Sequence, residues 1–323
     1  MSDVNVSIIV VNYGTADLAI SAVESVLQRD HGGRTIEVHL VDNASPGDDA
    51  ERFREAHGAR NWGGWVTLWA ETRNHGFGGG NNVVLRDLAA RETPPDYVFL
   101  LNPDAELENE AISILADAMD ADPAVAAAGA SIRDSSLARV TAAFRFPSMA
   151  SEILSAANFG PLDRQFARHL TSLPPDHPAG PVDWVSAAAV MFRLSALTEV
   201  DYFDEGFFLY YEEVELMHRL ASHGWRTIYV PDAEAVHVGG AATGGGGLRR
   251  DPPFYLYDSW RHYFTRTEGR GKALVIALLV IPAAILNVLH RRLRGKAPTI
   301  PVRFLRDQWR LVILPLLRPE PRI

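Results

Sequence analysis

The chain has 323 residues, 47% of them hydrophobic and 22% charged, and its 31 Lys+Arg against 40 Asp+Glu give a formal net charge of -9. That length and mixture exclude a minimal stapled domain, a fibrous repeat and a disordered chain. The absence of cysteine excludes disulfides, thiolate metal sites and a cysteine nucleophile.

The net charge conceals a partition. Residues 1–260 carry 18 basic and 37 acidic side chains, net -19, whereas residues 261–323 carry 13 basic and 3 acidic, net +10. An acidic body repels polyanions, so nucleic acid is not an expected partner, and a basic apolar tail suits an anionic membrane surface. The first residues lack a basic n-region and run straight into an apolar strand pattern, which argues against a cleaved signal peptide.

In chain order, β-rich apolar runs predict strands at 6–11, 36–41, 66–70 and 97–101, with helices near 15–29, 48–57 and 79–91 between them. This alternation predicts an α/β fold, a mostly parallel sheet flanked by helices. A helix is expected at 109–120 and a strand near 125–132. Weak periodicity up to about residue 182 reads as a mobile excursion. Strands are then expected at 184–192 and 207–211, a helix at 212–223, a strand at 227–230 and a glycine-rich loop at 239–247.

Residues 273–289 are nearly pure apolar with Pro282 in the middle and basic residues on both flanks. As a helix they reach about 26 Å, slightly short of a usual crossing, and basic groups on both flanks suit a re-entrant or interfacial hairpin better. Around 300–314, Arg303, Arg306 and Arg310 alternate with the apolar row Val302, Leu305, Trp309 and Val312, a basic amphipathic helix. A helix docked on the catalytic body would show the same stripe.

Ligands of such sheets bind beyond the carboxyl ends of the strands. The residues following the first four runs are Asn12 and Tyr13, Asp42 and Asn43, Arg73 and Asn74, and Asn102 to Asp104. The run GFGGGNN at 76–82 fails the dinucleotide spacing, because Asn81 stands where the third glycine belongs. It leaves a flexible turn whose amides point at phosphates from a helix N-terminus. Asp104 offers one hard oxygen for Mg²⁺ or Mn²⁺, although taken alone it fits a helix N-cap better. His237 reads alone as a structural histidine, and with Asp104 as a mixed O/N cation site.

Glu212, Glu213 and Glu215 fall in the first turn of a helix, where the dipole favours each carboxylate by about 0.3–1 kcal/mol. Glu213 continues the stripe of Leu216, Met217 and Leu220, so it is expected to face inward with a raised pKa, as a general base requires.

The segments VSIIVVNYGTADLAISAVESVL, VDNAS, ETRNHGFGGGNN, YVFLLNPDAEL, FFLYYEEVELMHRLASHGWRTIYVPDAEAVHVGG and SWRHYFTRTEG resemble, in this order, inverting family 2 glycosyltransferases of GT-A fold. The likeness is strongest to the rhamnosyltransferase-type enzymes of bacterial surface polysaccharide synthesis. It implies a catalytic domain over 1–260, with a nucleotide-binding half at 1–132 and an acceptor half at 133–260, followed by a helical membrane-associating region at 261–323.

By that resemblance Asn12, Tyr13 and Asp42 hold the nucleoside of a dTDP- or UDP-sugar, and Arg73, Asn74, Gly76, Gly78 and Asn82 line its diphosphate and ribose. Asp104 and His237 hold the divalent cation, Mg²⁺ or Mn²⁺. Asn102 replaces the first aspartate of the DxD motif, Trp184 heads the acceptor-side strand, and Glu212 precedes the base Glu213. The acceptor implied is a lipid-linked or cell-surface glycan. The location implied is the cytoplasmic face of the cell membrane, with 273–289 and about 300–314 on its surface as a peripheral or monotopic attachment. Three departures stand out: Glu213 for the usual aspartate, Ala187 for glycine, and Asn102. The last leaves open a catalytically silent glycan- or nucleotide-binding scaffold.

Overall fold

A computed structural model describes residues 5–239 and 252–318, so the glycine-rich loop expected at 239–247 lies outside the described residues except at its first position. The chain divides into two compact units. One comprises Met1–Phe144, Leu173–Phe208 and Glu212–Gly244, the other Arg145–Ser172, Leu209–Tyr211 and Gly245–Ile323.

In the first unit, β1 (Val6–Asn12), α1 (Ala16–Leu27), β2 (Ile36–Asp42), α2 (Asp49–Ala59), β3 (Val66–Ala70), α3 (Gly76–Ala89) and β4 (Tyr97–Leu101) alternate as their periodicities require. Then follow β5 (Ala105–Leu107), α4 (Ala111–Asp120), β6 (Val125–Arg133), β7 (Arg139–Val140) and β8 (Ala143–Phe144). In the second unit α5 (Met149–Ala157) and α6 (Gly160–Gln165) come next. The chain returns to the first unit with β9 (Gly180–Val182), β10 (Trp184–Val185), β11 (Ala189–Arg193), α7 (Leu194–Glu199), α8 (Glu212–Ser222) and β12 (Arg226–His237).

The main sheet runs β3-β2-β1-β4-β11-β6-β12-β5. Strands β1 to β4 are parallel, β12 is parallel to β6, and β11 runs antiparallel between β4 and β6. β1 and β4 are buried along their whole length, the mark of strands covered on both faces.

Three expectations are corrected here. Residues 184–192 form two strands in two sheets, because Ser186 Oγ accepts from Ala188 N (3.3 Å) and turns the chain between β10 and β11. Residues 207–211 form no strand: Phe207 is fully buried, the Phe208 carbonyl accepts from Phe77 N (3.2 Å), and Tyr210 and Tyr211 have φ of 71° and 70°. The stretch before residue 182, expected as a weakly periodic excursion, contains the helix α5, on which Ser148 and Ser151 close a capping box.

The second unit is completed by α9 (Phe254–Glu268), α10 (Arg270–Leu293), α11 (Phe304–Asp307), a π-helical turn at Gln308–Ile313 and α12 (Leu314–Leu317). Ala273, Ile276, Ala277, Val280, Ala283 and Ala284 form the buried stripe of α10, which packs on α5 and α9. Asn287 extends that stripe, giving Nδ2 to Ala156 O (3.1 Å) and Thr299 Oγ1 (2.6 Å) and accepting from Thr299 N (3.2 Å). The amphipathic row expected at 300–314 is split: Val302, Leu305 and Trp309 are exposed, whereas Val312 is buried. The wider π turn shifts the register, so residues spaced for one α-helical face end on two.

Candidate active site

The loops after β1 and β2 are tied together by buried polar groups. Asn12, fully buried, donates to Asp49 Oδ2 (2.8 Å) and Ser45 Oγ (3.2 Å) and accepts from Thr15 N and Oγ1. Its side chain therefore ties two loops of the strand-end edge together. Asp42, also buried, accepts from Ser45 N (3.1 Å), and Tyr13 stands 39% exposed beside this turn.

Asn43, not picked out as a ligand residue by sequence, organises the next segment. Its Nδ2 donates to Gly76 O (2.9 Å) and Asn74 Oδ1 (3.2 Å), and its Oδ1 accepts from His75 N (3.0 Å). Only its position at the end of an apolar strand hinted at this. Arg73, in the same loop, is exposed and makes no hydrogen bond or ion pair among the described residues. That leaves its guanidinium available to an anion.

The glycines of GFGGGNN are not a flexible turn but the first turns of α3. A Cβ at Gly76 would lie 2.0 Å from Phe208 O, one at Gly78 2.9 Å from Phe203 Cβ, and one at Gly80 2.8 Å from Val11 Cγ1. They let the helix approach β1 and the 203–208 segment. Asn82, fully buried, donates to Phe203 O (2.9 Å) and Glu205 Oε1 (3.1 Å) and accepts from Phe203 N (3.0 Å). Gly78 and Asn82 thus pack and clamp this edge of α3.

The structure brings Asn102, Asp104 and His237 together. His237 Nε2 lies 3.0 Å from Asp104 Oδ1 and 3.3 Å from Asn102 Nδ2. Asp104 sits in the three-residue link from β4 to β5, and β5 pairs with the last residues of β12. A register shift between Val230 and Glu234 redirects β12 so that His237 reaches Asp104. The donor set fits a divalent cation with few protein ligands: one carboxylate, one imidazole nitrogen, and the Asn102 amide oxygen if that group is turned over. Among the described residues no group of three or more His, Asp or Glu forms a fuller cage.

At the start of α8, Glu212 is 4% exposed and Glu213 half-buried, and each has an Oε2 that is buried without a hydrogen-bond partner. Burial, and after it the Glu213 charge, holds the Glu212 carboxyl well above the usual range; burial also raises that of Glu213. The third acid differs: Glu215 is paired with Arg219 (2.7 Å), whose guanidinium also donates to Tyr202 O and Val200 O. It is a structural group. One turn along from Glu213, Met217 Sδ accepts from Val185 N (3.3 Å), which sets this face of α8 against β10. Next to Val185, Trp184 stacks on Phe144 at 4.0 Å and 11°. The base candidate therefore shares a helix face with the contact to the strand headed by Trp184.

The profile of the family described as "Glycosyltransferase like family 2" matches residues 4–265. The chain belongs to this family. It is 30% identical over 289 residues to the N-acetylglucosaminyl-diphospho-decaprenol L-rhamnosyltransferase of Mycobacterium tuberculosis, covering 81% of this chain and 88% of that protein. It is 26% identical over 168 residues to rhamnosyltransferase WbbL of Escherichia coli K12, covering 50% and 61%.

Among solved structures, the mannosyltransferase PcManGT of Pyrobaculum calidifontis, in complex with GDP-Man and Mn²⁺, superposes with a TM-score of 0.56 at 18% identity, over 91% of this chain and 77% of that one. TarS 1-349 of S. aureus, in complex with UDP, gives 0.53 at 15% identity, over 85% and 70%. These likenesses show the fold, GT-A, and the family shows the activity: the protein is a glycosyltransferase of rhamnosyltransferase-like type.

Proposed function

We propose that this glycosyltransferase moves a hexose, rhamnose by first choice, from a dTDP- or UDP-sugar to a hydroxyl of a lipid-linked N-acetylglucosamine diphosphate, with inversion at the anomeric carbon. The acceptor follows the 30% identical relative, whose name carries N-acetylglucosaminyl-diphospho-decaprenol. The observation that carries the mechanism is the buried Glu212 and Glu213 pair with its unpartnered oxygens. Burial raises the proton affinity of a carboxyl in that setting, the direction a general base needs.

Glu213 takes the proton of the acceptor hydroxyl as that oxygen bonds to the anomeric carbon. The bond to the diphosphate oxygen breaks on the opposite face, and its electron pair leaves with the nucleoside diphosphate. Single displacement inverts the centre. Arg73 faces the diphosphate charge, and Asp42 and Tyr13 receive the nucleoside. Asp104, His237 and Asn102 would hold Mg²⁺ or Mn²⁺, which offsets negative charge on the departing diphosphate. A lipid-linked acceptor puts the enzyme at the cytoplasmic face of the cell membrane, as a peripheral or monotopic protein.

Glu213→Gln is expected to lower turnover by about a thousandfold while donor affinity stays within a few fold. Normal turnover in that variant would refute the assignment. Asn102 is the observation favouring a silent scaffold, and calorimetry separates the two readings. A transferase binds UDP- or dTDP-sugar more tightly with Mn²⁺ present, and the scaffold shows no metal-dependent binding.

A further inference from the structure

Helix α10 is apolar on both sides, yet among the described residues only one side is covered. The stripe from Ala273 to Asn287 is buried within its unit, while the opposite side carries Val275, Leu278, Leu279, Leu286, Leu289 and Leu293, all exposed, with Leu289 at 56% and Leu293 at 88%. At a helical 100° per residue these six cluster on one face, turned about 150° from the buried stripe. A helix that is apolar all round belongs in a core or in lipid, and an uninterrupted exposed stripe of this length marks an interaction surface.

The charges around it name the occupant. Arg292, Arg294, Lys296 and Arg310 are exposed, and their side chains make no hydrogen bond or ion pair among the described residues. Val302 and Trp309, also exposed, stand among arginines in the segment packed against α10. Apolar faces bordered by free cations match an anionic lipid surface.

The helix is long and apolar enough to cross a membrane. Crossing would take its packed side into the bilayer as well. That side holds the Asn287 amide in its bonds to Ala156 and Thr299, and it lies along α9, which carries Asp258, Arg261 and Glu268. We propose that α10 lies in the plane of an anionic membrane surface, immersing the Val275 to Leu293 face while its Ala273 to Asn287 stripe stays docked on its own unit. The proposal rests on the membrane location in the functional reading and not on its chemistry.

The absence of cysteine makes the test direct. The full-length protein with Val275→Cys, Leu279→Cys, Leu286→Cys or Leu293→Cys, each carrying a nitroxide, is bound to phosphatidylcholine vesicles containing phosphatidylglycerol, and label depth is read by collision with oxygen and a polar relaxant. Equal, shallow depth at the four positions is expected. A steady gradient over about 27 Å overturns the in-plane geometry in favour of crossing.

The double variant Leu279→Glu with Leu286→Glu is expected to keep its thermal midpoint and to partition roughly a hundredfold more weakly. Partition unchanged in that variant, or equal on phosphatidylcholine alone, overturns the proposal. So does a dimer in sedimentation that the variant dissolves, which would assign the face to a second copy. Glu213→Gln should leave the depth profile intact, so the transferase reading and this one fail separately.

Discussion

At the scale of single residues, the same residue type serves chemistry or architecture according to what surrounds it. Glu212, Glu213 and Glu215 fall in one helical turn, and the sequence explains their enrichment by the dipole. A local i,i+4 pair with Arg219 takes Glu215, while the tertiary environment leaves the Oε2 atoms of Glu212 and Glu213 buried and unpartnered. Raised carboxyl pKa values mean that the folded state favours the protonated form. Stability from this pair is therefore full below the ordinary carboxylate range and falls as pH rises through the raised values. Glu212→Gln, which cannot ionise, is expected to flatten that loss, so its thermal midpoint should exceed the parent's at alkaline pH and match it in acid. The apolar stripe made Glu213's inward direction legible. The deeper burial of Glu212 was not, because it depends on what packs around the helix start.

At the scale of elements, α3 shows how a glycine-rich motif can mislead. Four glycines in five residues read locally as a flexible, phosphate-binding turn. In the fold they open α3, and glycine is needed there because Phe208, Phe203 and Val11 approach so closely that no Cβ fits. Gly76 is the tightest, with φ of 73° as well. Gly76→Ala is expected to destabilise the protein by at least about 2–3 kcal/mol, a displacement of the Phe208 carbonyl added to left-handed strain. Chemical unfolding measures it, and a loss under about 0.5 kcal/mol would mean that the 203–208 segment yields freely. Strand order, helix order and most boundaries were readable because period-2 and period-3.6 apolar patterns are local. The break at Ser186, the left-handed Tyr210 and Tyr211 and the π turn at Gln308–Ile313 were not, since each answers to neighbours far away in sequence.

At the scale of the whole molecule, the chain passes five times between its two units, and this alters what truncation does. If residues 1–260 formed the whole catalytic domain, as the family resemblance implies, deleting residues 273–323 would leave a folded body. The structure shows α5 packed on α10 within the second unit, so that deletion strips the partner from a helix near residue 150. Truncation before residue 273 is now expected to give an aggregating product with protease-sensitive sites near residues 145–172; a monodisperse, protease-resistant product would contradict it.

The sequence by itself determined the α/β class, the family, the polar residues at the strand ends and the split between an acidic body and a basic tail. Local periodicity, motif order and charge carry that information directly. Tertiary structure decided which polar residues face outward and which are consumed inside. It buried Asn12 and Asn82 in clamps, recruited Asn43, joined Asp104 to His237 across more than a hundred residues, and covered one side of α10 while leaving the other bare. Such outcomes depend on hydrogen-bond partners and packing surfaces supplied by distant segments, which no local pattern encodes.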